Sequence, residues 1–242
     1  PEHPARDMHD TFYFAPKPDG SQRLLLVIHP IVVDEASWRV LLEDVQQAYG
    51  QAESGQPIRL PAKTTSCQVW AQRLVSRAQG ELLPSELSYW KSQFEESTAA
   101  LPGDCREPGL RNGPAETLYM SLDSEWTRRL LQQAPAAYRT TTDDLLLTAL
   151  ARVISRWTSA AAVLIQLPGS GRGAAFEAVD LSRTVGRFTA RYPMKLTPAA
   201  DIGESIKAVK EQLRAVPNGG IGFDVLRQLA NEPIKRELSS LP

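Results

Sequence analysis

The sequence predicts an α+β layered domain. Three observations lead there: short, widely separated apolar runs of strand length, amphipathic helical patterns between them, and a Pro-, Gly- and charge-rich segment near the middle. The 242 residues and 42% hydrophobic content suffice for one large domain or two coupled lobes.

Strand signals fall at Thr11 to Phe14, Arg23 to His29, Glu116 to Leu122, Ala161 to Leu167 and Arg187 to Leu196. The clearest helical pattern follows Asp34, a residue suited to starting a helix, and places Trp38, Leu41, Leu42, Val45 and Tyr49 on one stripe expected to be buried. A second helix is expected over Thr142 to Trp157. There Thr142 would cap the free amides, and Leu145, Leu146, Ala149, Leu150, Val153, Ile154 and Trp157 would face inward. Further helices are predicted over Ser66 to Gln79, Pro84 to Glu95, Ser124 to Gln133, Ile202 to Ala215 and Phe223 to Ala230. Leu101 to Ala115 reads as a linker.

Charge excludes some partners. The formal net charge is −1 and no basic stripe stands out, so a nucleic-acid surface is not expected. The longest apolar runs, Leu24 to Ile28 and Ala160 to Leu167, fall well short of the ~18 residues that span a bilayer. The acidic start, Pro1 to Asp10, has no signal-peptide core. No membrane association is expected, and the location is read as cytoplasmic. Cys67 and Cys105 lie far apart without CxxC spacing, and His3 and His9 have no partner ligands, so no metal site is predicted.

The segment from Leu24 to Asp44, LLLVIHPIVVDEASWRVLLED, resembles the HHxxxDG-SW signature of condensation-type domains of non-ribosomal peptide synthetases, in the variant typical of epimerisation domains. The likeness continues through LPAKTTSCQVWA (60–71), Tyr89-Trp90, AAYRT (136–140), DLSRTVGRFTARYP (180–193) and VKEQLRAVPNGGIG (209–222), in the family's order. The resemblance implies a chloramphenicol-acetyltransferase-like two-lobed fold, here with the first part of one lobe and the last part of the other missing. On that reading residues 1–100 belong to the N-terminal lobe, 101–115 link the lobes, and 116–242 belong to the C-terminal lobe. It also implies a peptidyl carrier protein as partner, whose phosphopantetheine arm tethers the substrate in an inter-lobe tunnel, with no cofactor bound directly.

Epimerisation removes an α-proton from a tethered aminoacyl group and returns one to the opposite face, which needs titratable groups near that carbon. In the family these are the second histidine of HHxxxDG and a glutamate in an EGHGRE-like turn. Counting back from Asp34 puts Pro30 at the second histidine and His29 at the first. The second motif aligns with LPGSGRG (167–173), so Pro168 stands for the first glutamate, Ser170 for the histidine and Gly173 for the last glutamate. Neither proline nor glycine has a side chain that exchanges protons.

If His29 and Pro30 are adjacent strand residues, their side chains point to opposite sides, so His29 would not replace a histidine at position 30. His29, Asp34, Ser37, Trp38 and Arg183 are expected to be structural parts of the motif, with Trp38 and Trp157 as core anchors. Glu35 stands where the family has glycine and is a candidate replacement carboxylate. Arg172, Arg183 and Arg191 are candidate oxyanion holders, for instance for a phosphopantetheine phosphate. Gly169, Gly171 and Gly173 lack the lysine of a P-loop.

Three readings follow. One is a non-catalytic domain that binds a carrier protein or recruits a tailoring enzyme, similar to the X domains that recruit cytochrome P450 oxygenases in glycopeptide assembly. The second is an active epimerase or condensation enzyme using His29 and Glu35. The third is a decayed fragment without a present role.

Overall fold

The computed structural model describes residues 11–17, 19, 21–80, 84–95, 101, 117–172 and 179–241. Within them β1 (Thr11–Pro16) and β2 (Gln22–Val27) form one antiparallel pair, Thr11 opposite Val27. A second pair joins β3 (Val163–Ser170) to β4 (Thr189–Leu196), Val163 opposite Leu196 and Ser170 opposite Thr189.

Helices cover most of the rest. They are α1 (Glu35–Glu53), α2 (Cys67–Gln79), α3 (Leu87–Ser92), α4 (Ser124–Arg128), α5 (Ala134–Tyr138), α6 (Thr142–Thr158), α7 (Ile202–Arg214), α8 (Ile221–Leu229) and α9 (Glu232–Ser239). A wider π turn over Arg129–Gln133 carries α4 into α5, extending the helix expected to end at Gln133. A single turn of 3-10 helix, Pro84–Glu86, precedes α3. Short side-chain caps set the starts: Asp34, Ser66, Asp123, Thr141, Asp201 and Asn231 each accept a hydrogen bond from a first-turn amide.

One buried cluster runs through the molecule. It includes Trp70 of α2, Trp90 of α3, Ala151 of α6, Tyr192, Met194 and Leu196 of β4, Val209 of α7, and Phe223 and Leu226 of α8. Trp90 is fully buried, meets Phe223 edge-on at 5.5 Å, and donates its indole N–H to Glu86 at 3.0 Å. The cluster therefore draws on residues from both sides of the predicted linker, itself outside the described residues except for Leu101.

Four expectations need correction. Residues 117–122 form no strand: Leu118, Tyr119 and Met120 are exposed and no described strand pairs with them. The α6 cap is Thr141, which closes a capping box with Asp144, and not Thr142. The inward face of α6 is Leu145, Thr148 and Ala151, whereas Leu146, Leu150, Val153 and Trp157 are exposed, Trp157 by 59%, so Trp157 is no core anchor. On α1 the buried residues are Ser37 and Val40, while Leu42, Val45 and Tyr49 of the expected stripe are exposed, Tyr49 by 69%. Helical period identifies an apolar stripe, but only neighbouring elements decide whether it is covered.

Candidate functional site

β2 delivers the chain to a turn, and the turn delivers it to α1. His29 to Val32 closes by a hydrogen bond from the Val32 amide to the His29 carbonyl at 3.1 Å, with Pro30 at the second position, where its fixed φ is favoured. Since β2 ends at Val27, His29 and Pro30 are turn residues, and the strand-alternation argument about their side chains does not apply. The His29 ring is exposed and its Nδ1 accepts the Ile31 amide at 3.2 Å.

Asp34 then caps α1. Its Oδ1 accepts from the Ser37 amide and the Ser37 hydroxyl, both at 2.8 Å, and its Oδ2 accepts from the Phe188 amide at 3.2 Å. From the turn after β3, Arg172 donates Nε to Oδ2 at 2.9 Å and Nη2 to Oδ1 at 2.8 Å. Arg172 also donates Nη1 to the Leu181 carbonyl at 2.7 Å and lies over the Phe188 ring, 4.3 Å from its centre. Burial alone raises the Asp34 carboxyl, but hydrogen bonds from Arg172 and Ser37, with the Arg172 charge, overcome this and hold it at about 2.

Ser37, with no exposed surface, ties a third segment to this pair. Its Oγ accepts the Gly186 amide at 3.0 Å and Arg172 Nη2 at 2.9 Å, and lies 2.9 Å from the Gly186 carbonyl. Arg183 reaches α1 separately through Asp44 and, at 3.4 Å, Glu43. Arg172 and Arg183, two of the candidate oxyanion holders, are therefore each paired with a carboxylate of this chain. Arg191 is exposed on β4.

The scaffold borders an open cavity of about 410 Å³, lined by Asp34, Glu35 and Arg39 on α1 and its cap, by Ser170 and Arg172, and by Thr189. Glu35 is thus a lining residue, at an exposed position in the first turn of α1. His29, Pro30 and Pro168 are not among its lining residues, and Ser170 offers a hydroxyl that accepts the Arg172 amide at 3.3 Å. Pro168 sits opposite Arg191 in a two-stranded ladder, where a missing amide is tolerated. Gly171 allows the turn to reach β4: a Cβ there would lie 1.9 Å from the Phe188 carbonyl oxygen. Gly173 and Cys105 lie outside the described residues, as do His3 and His9. Trp38 is partly buried, and Cys67 is exposed in the first turn of α2.

The sequence did not identify Arg172 as the partner of Asp34, nor Arg39 and Thr189 as lining residues. The Arg172–Asp34 contact spans 138 positions, so no local pattern announces it.

Comparison with known proteins adds the following. Residues 13–241 match the condensation domain family. One of the linear gramicidin synthase proteins of Brevibacillus parabrevis is 43% identical over 225 residues, covering 92% of this chain and 4% of that protein. Among solved structures, the epimerization domain from the third module of tyrocidine synthetase B superposes with a TM-score of 0.79 at 38% identity, over 92% of this chain and 50% of that one. The teicoplanin X-domain, solved in complex with OxyB, gives 0.68 at 23% identity over 95% of this chain and 53% of that one, a likeness of fold alone. The chain spans about half the length of these solved domains and a small part of the gramicidin synthase protein.

Proposed function

This chain belongs to the condensation-domain family, and we propose that it serves a non-ribosomal peptide synthetase as a non-catalytic domain, which binds a peptidyl carrier protein through its phosphopantetheine-tethered thioester. One observation carries the reading. The Asp34–Arg172–Ser37 scaffold is intact around a cavity, while Pro30, Pro168 and Ser170 occupy the positions from which proton-transfer groups would be expected. Among the described residues the one imidazole, that of His29, is not a lining residue. General acid–base catalysis at an α-carbon needs titratable groups within hydrogen-bond reach.

A binding domain can also hand its carrier to another enzyme. Recruitment of a tailoring oxygenase such as a cytochrome P450 is the variant of this reading that the degenerate motif favours, and the teicoplanin X-domain was solved with OxyB.

A specific observation favours a second reading. Glu35 lines the cavity, and a carboxylate there can act as a base if the site supplies a matching donor. An active epimerase or condensation enzyme would then use Glu35 without His29.

Fluorescence anisotropy of labelled holo carrier proteins, with and without an aminoacyl load, tests the first reading. Saturable binding that tightens with the load is expected. Equal and negligible response to both carriers would contradict it.

A further inference from the structure

The two edges of the β3–β4 ladder are finished differently. On the outer edge of β4, Asp224 accepts the Arg191 amide at 2.9 Å, Pro193 has no amide, and Gln93 accepts the Lys195 amide at 3.0 Å. Just beyond the strand, Gln212 accepts the Thr197 amide at 3.1 Å. Side chains and a proline placed in this way keep another strand from pairing there. Hydrogen-bonding direction alternates along a strand, so Leu164 and Gln166, opposite Lys195 and Pro193, also turn their amides outward, on the far edge of the ladder. No described residue accepts from either amide, and among the described residues β4 is the only neighbour of β3.

The open edge lies beside an uncovered helix face. α6 packs on β3 and on α7, and α7 packs on β4, so the flank of α6 turned away from α7 lies towards the outer edge of β3. Arg152 marks the opposite flank, because it donates to the Ala199 and Ala200 carbonyls ahead of α7 and to Ser205 within it. At about 100° per residue, Leu150 stands roughly across the helix from Arg152, with Leu146 and Trp157 on the same side as Leu150. All three are exposed. An apolar stripe next to an unpaired strand edge marks a surface that other polypeptide covers.

We infer that the outer edge of β3 docks one further β-strand, carried by the half of a condensation domain that lies outside residues 1–242, and that the same half covers Leu146, Leu150 and Trp157. Length points to this occupant. The epimerization domain of tyrocidine synthetase B superposes on 92% of this chain, yet only 50% of its own length is matched, so it carries as much chain again. The backbone sets the chemistry: an extended segment offers main-chain groups at the two-residue spacing of Leu164 and Gln166, with apolar residues at alternate positions facing α6. Pro168 withholds the next outward donor, so donation from β3 stops at Gln166 and Ser170 is left to the polar cavity.

The test follows amide exchange by NMR in the full chain, alone and with the unmatched half of the tyrocidine synthetase B epimerization domain added as a separate polypeptide. Alone, Leu164 and Gln166 are expected to exchange fast, while Ile165 and Leu167, whose amides face β4, exchange slowly. With the polypeptide added, exchange at Leu164 and Gln166 should slow by about tenfold or more. Gln166→Pro, which removes an unpaired edge donor, and Leu150→Lys, at an exposed position of α6, should each weaken binding of the polypeptide about tenfold. Circular dichroism confirms that both variants fold. Slow exchange at Leu164 and Gln166 in the chain alone at every concentration shows a closed edge, and slowing that grows with the chain's own concentration shows a second copy as occupant; either result overturns the inference. So does a polypeptide that fails to bind, or one that binds and leaves both amides fast.

Discussion

Arg172 grips both carboxylate oxygens of Asp34 at 2.9 and 2.8 Å, with the two side chains only 14% and 13% exposed. That pairing locks the turn after β3 to the start of α1, and so fixes two walls of the cavity. Removing one partner of a largely buried pair leaves the other charge uncompensated, which costs about 3–5 kcal/mol. Arg172→Ala should therefore lower the urea midpoint sharply, and Asp34→Ala should do so by a similar amount. A double variant that loses much less than the sum of the singles confirms the coupling.

The same pair sets an acid limit. Asp34 titrates at about 2 in the folded chain against an ordinary 3.8, so the unfolded state binds more protons as pH falls. The contribution, about 2 kcal/mol, is fully present above pH 4 and is lost as pH falls towards 2. Urea melts at pH 6, 4 and 3 should show this loss, and Asp34→Asn, which cannot titrate, should show a shallower decline from a lower starting stability.

Ser37 joins three segments through one hydroxyl. Ser37→Ala leaves the Gly186 amide without its acceptor at a position that has no exposed surface, at a cost of about 1–3 kcal/mol. A midpoint within experimental error of the parent would show that the hydroxyl is replaceable.

Two glycines should respond in opposite ways to alanine. Gly50 lies inside α1 with nothing within 4 Å of where an alanine methyl would sit, so Gly50→Ala should stabilise by about 0.5–1 kcal/mol. At Gly171 the methyl would meet the Phe188 carbonyl oxygen at 1.9 Å, so Gly171→Ala should be strongly destabilising or spread the turn from β4. Thermal melts of the two variants compare them directly.

The sequence made helix starts legible because capping is local: Asp34 stands directly before an apolar periodic run, and its oxygen needs only the next turn. Thr141 and Thr142 are adjacent residues of one type, and the choice between them rested on the position of Asp144. Burial was less legible. The Leu42–Val45–Tyr49 and Leu146–Leu150–Val153 stripes have the right period, but whether a stripe is covered depends on distant chain. Residues 117–122 alternate like a strand yet lack a described partner, and alternation cannot supply one. At the site, the prolines could be read from spacing, whereas the Arg172–Asp34 pair and the cavity it borders arise only when segments more than a hundred positions apart meet.

The most direct measurement is the fate of α-deuterium in an aminoacyl thioester loaded on a holo carrier protein, followed by mass spectrometry during incubation with this chain. Because Pro30 and Pro168 stand at the positions where the resemblance puts proton-transfer residues, deuterium should be retained at the rate of the protein-free control, in the parent and in Glu35→Gln alike. Deuterium lost faster with the parent than with Glu35→Gln would show that Glu35 moves protons, and the non-catalytic account would be wrong.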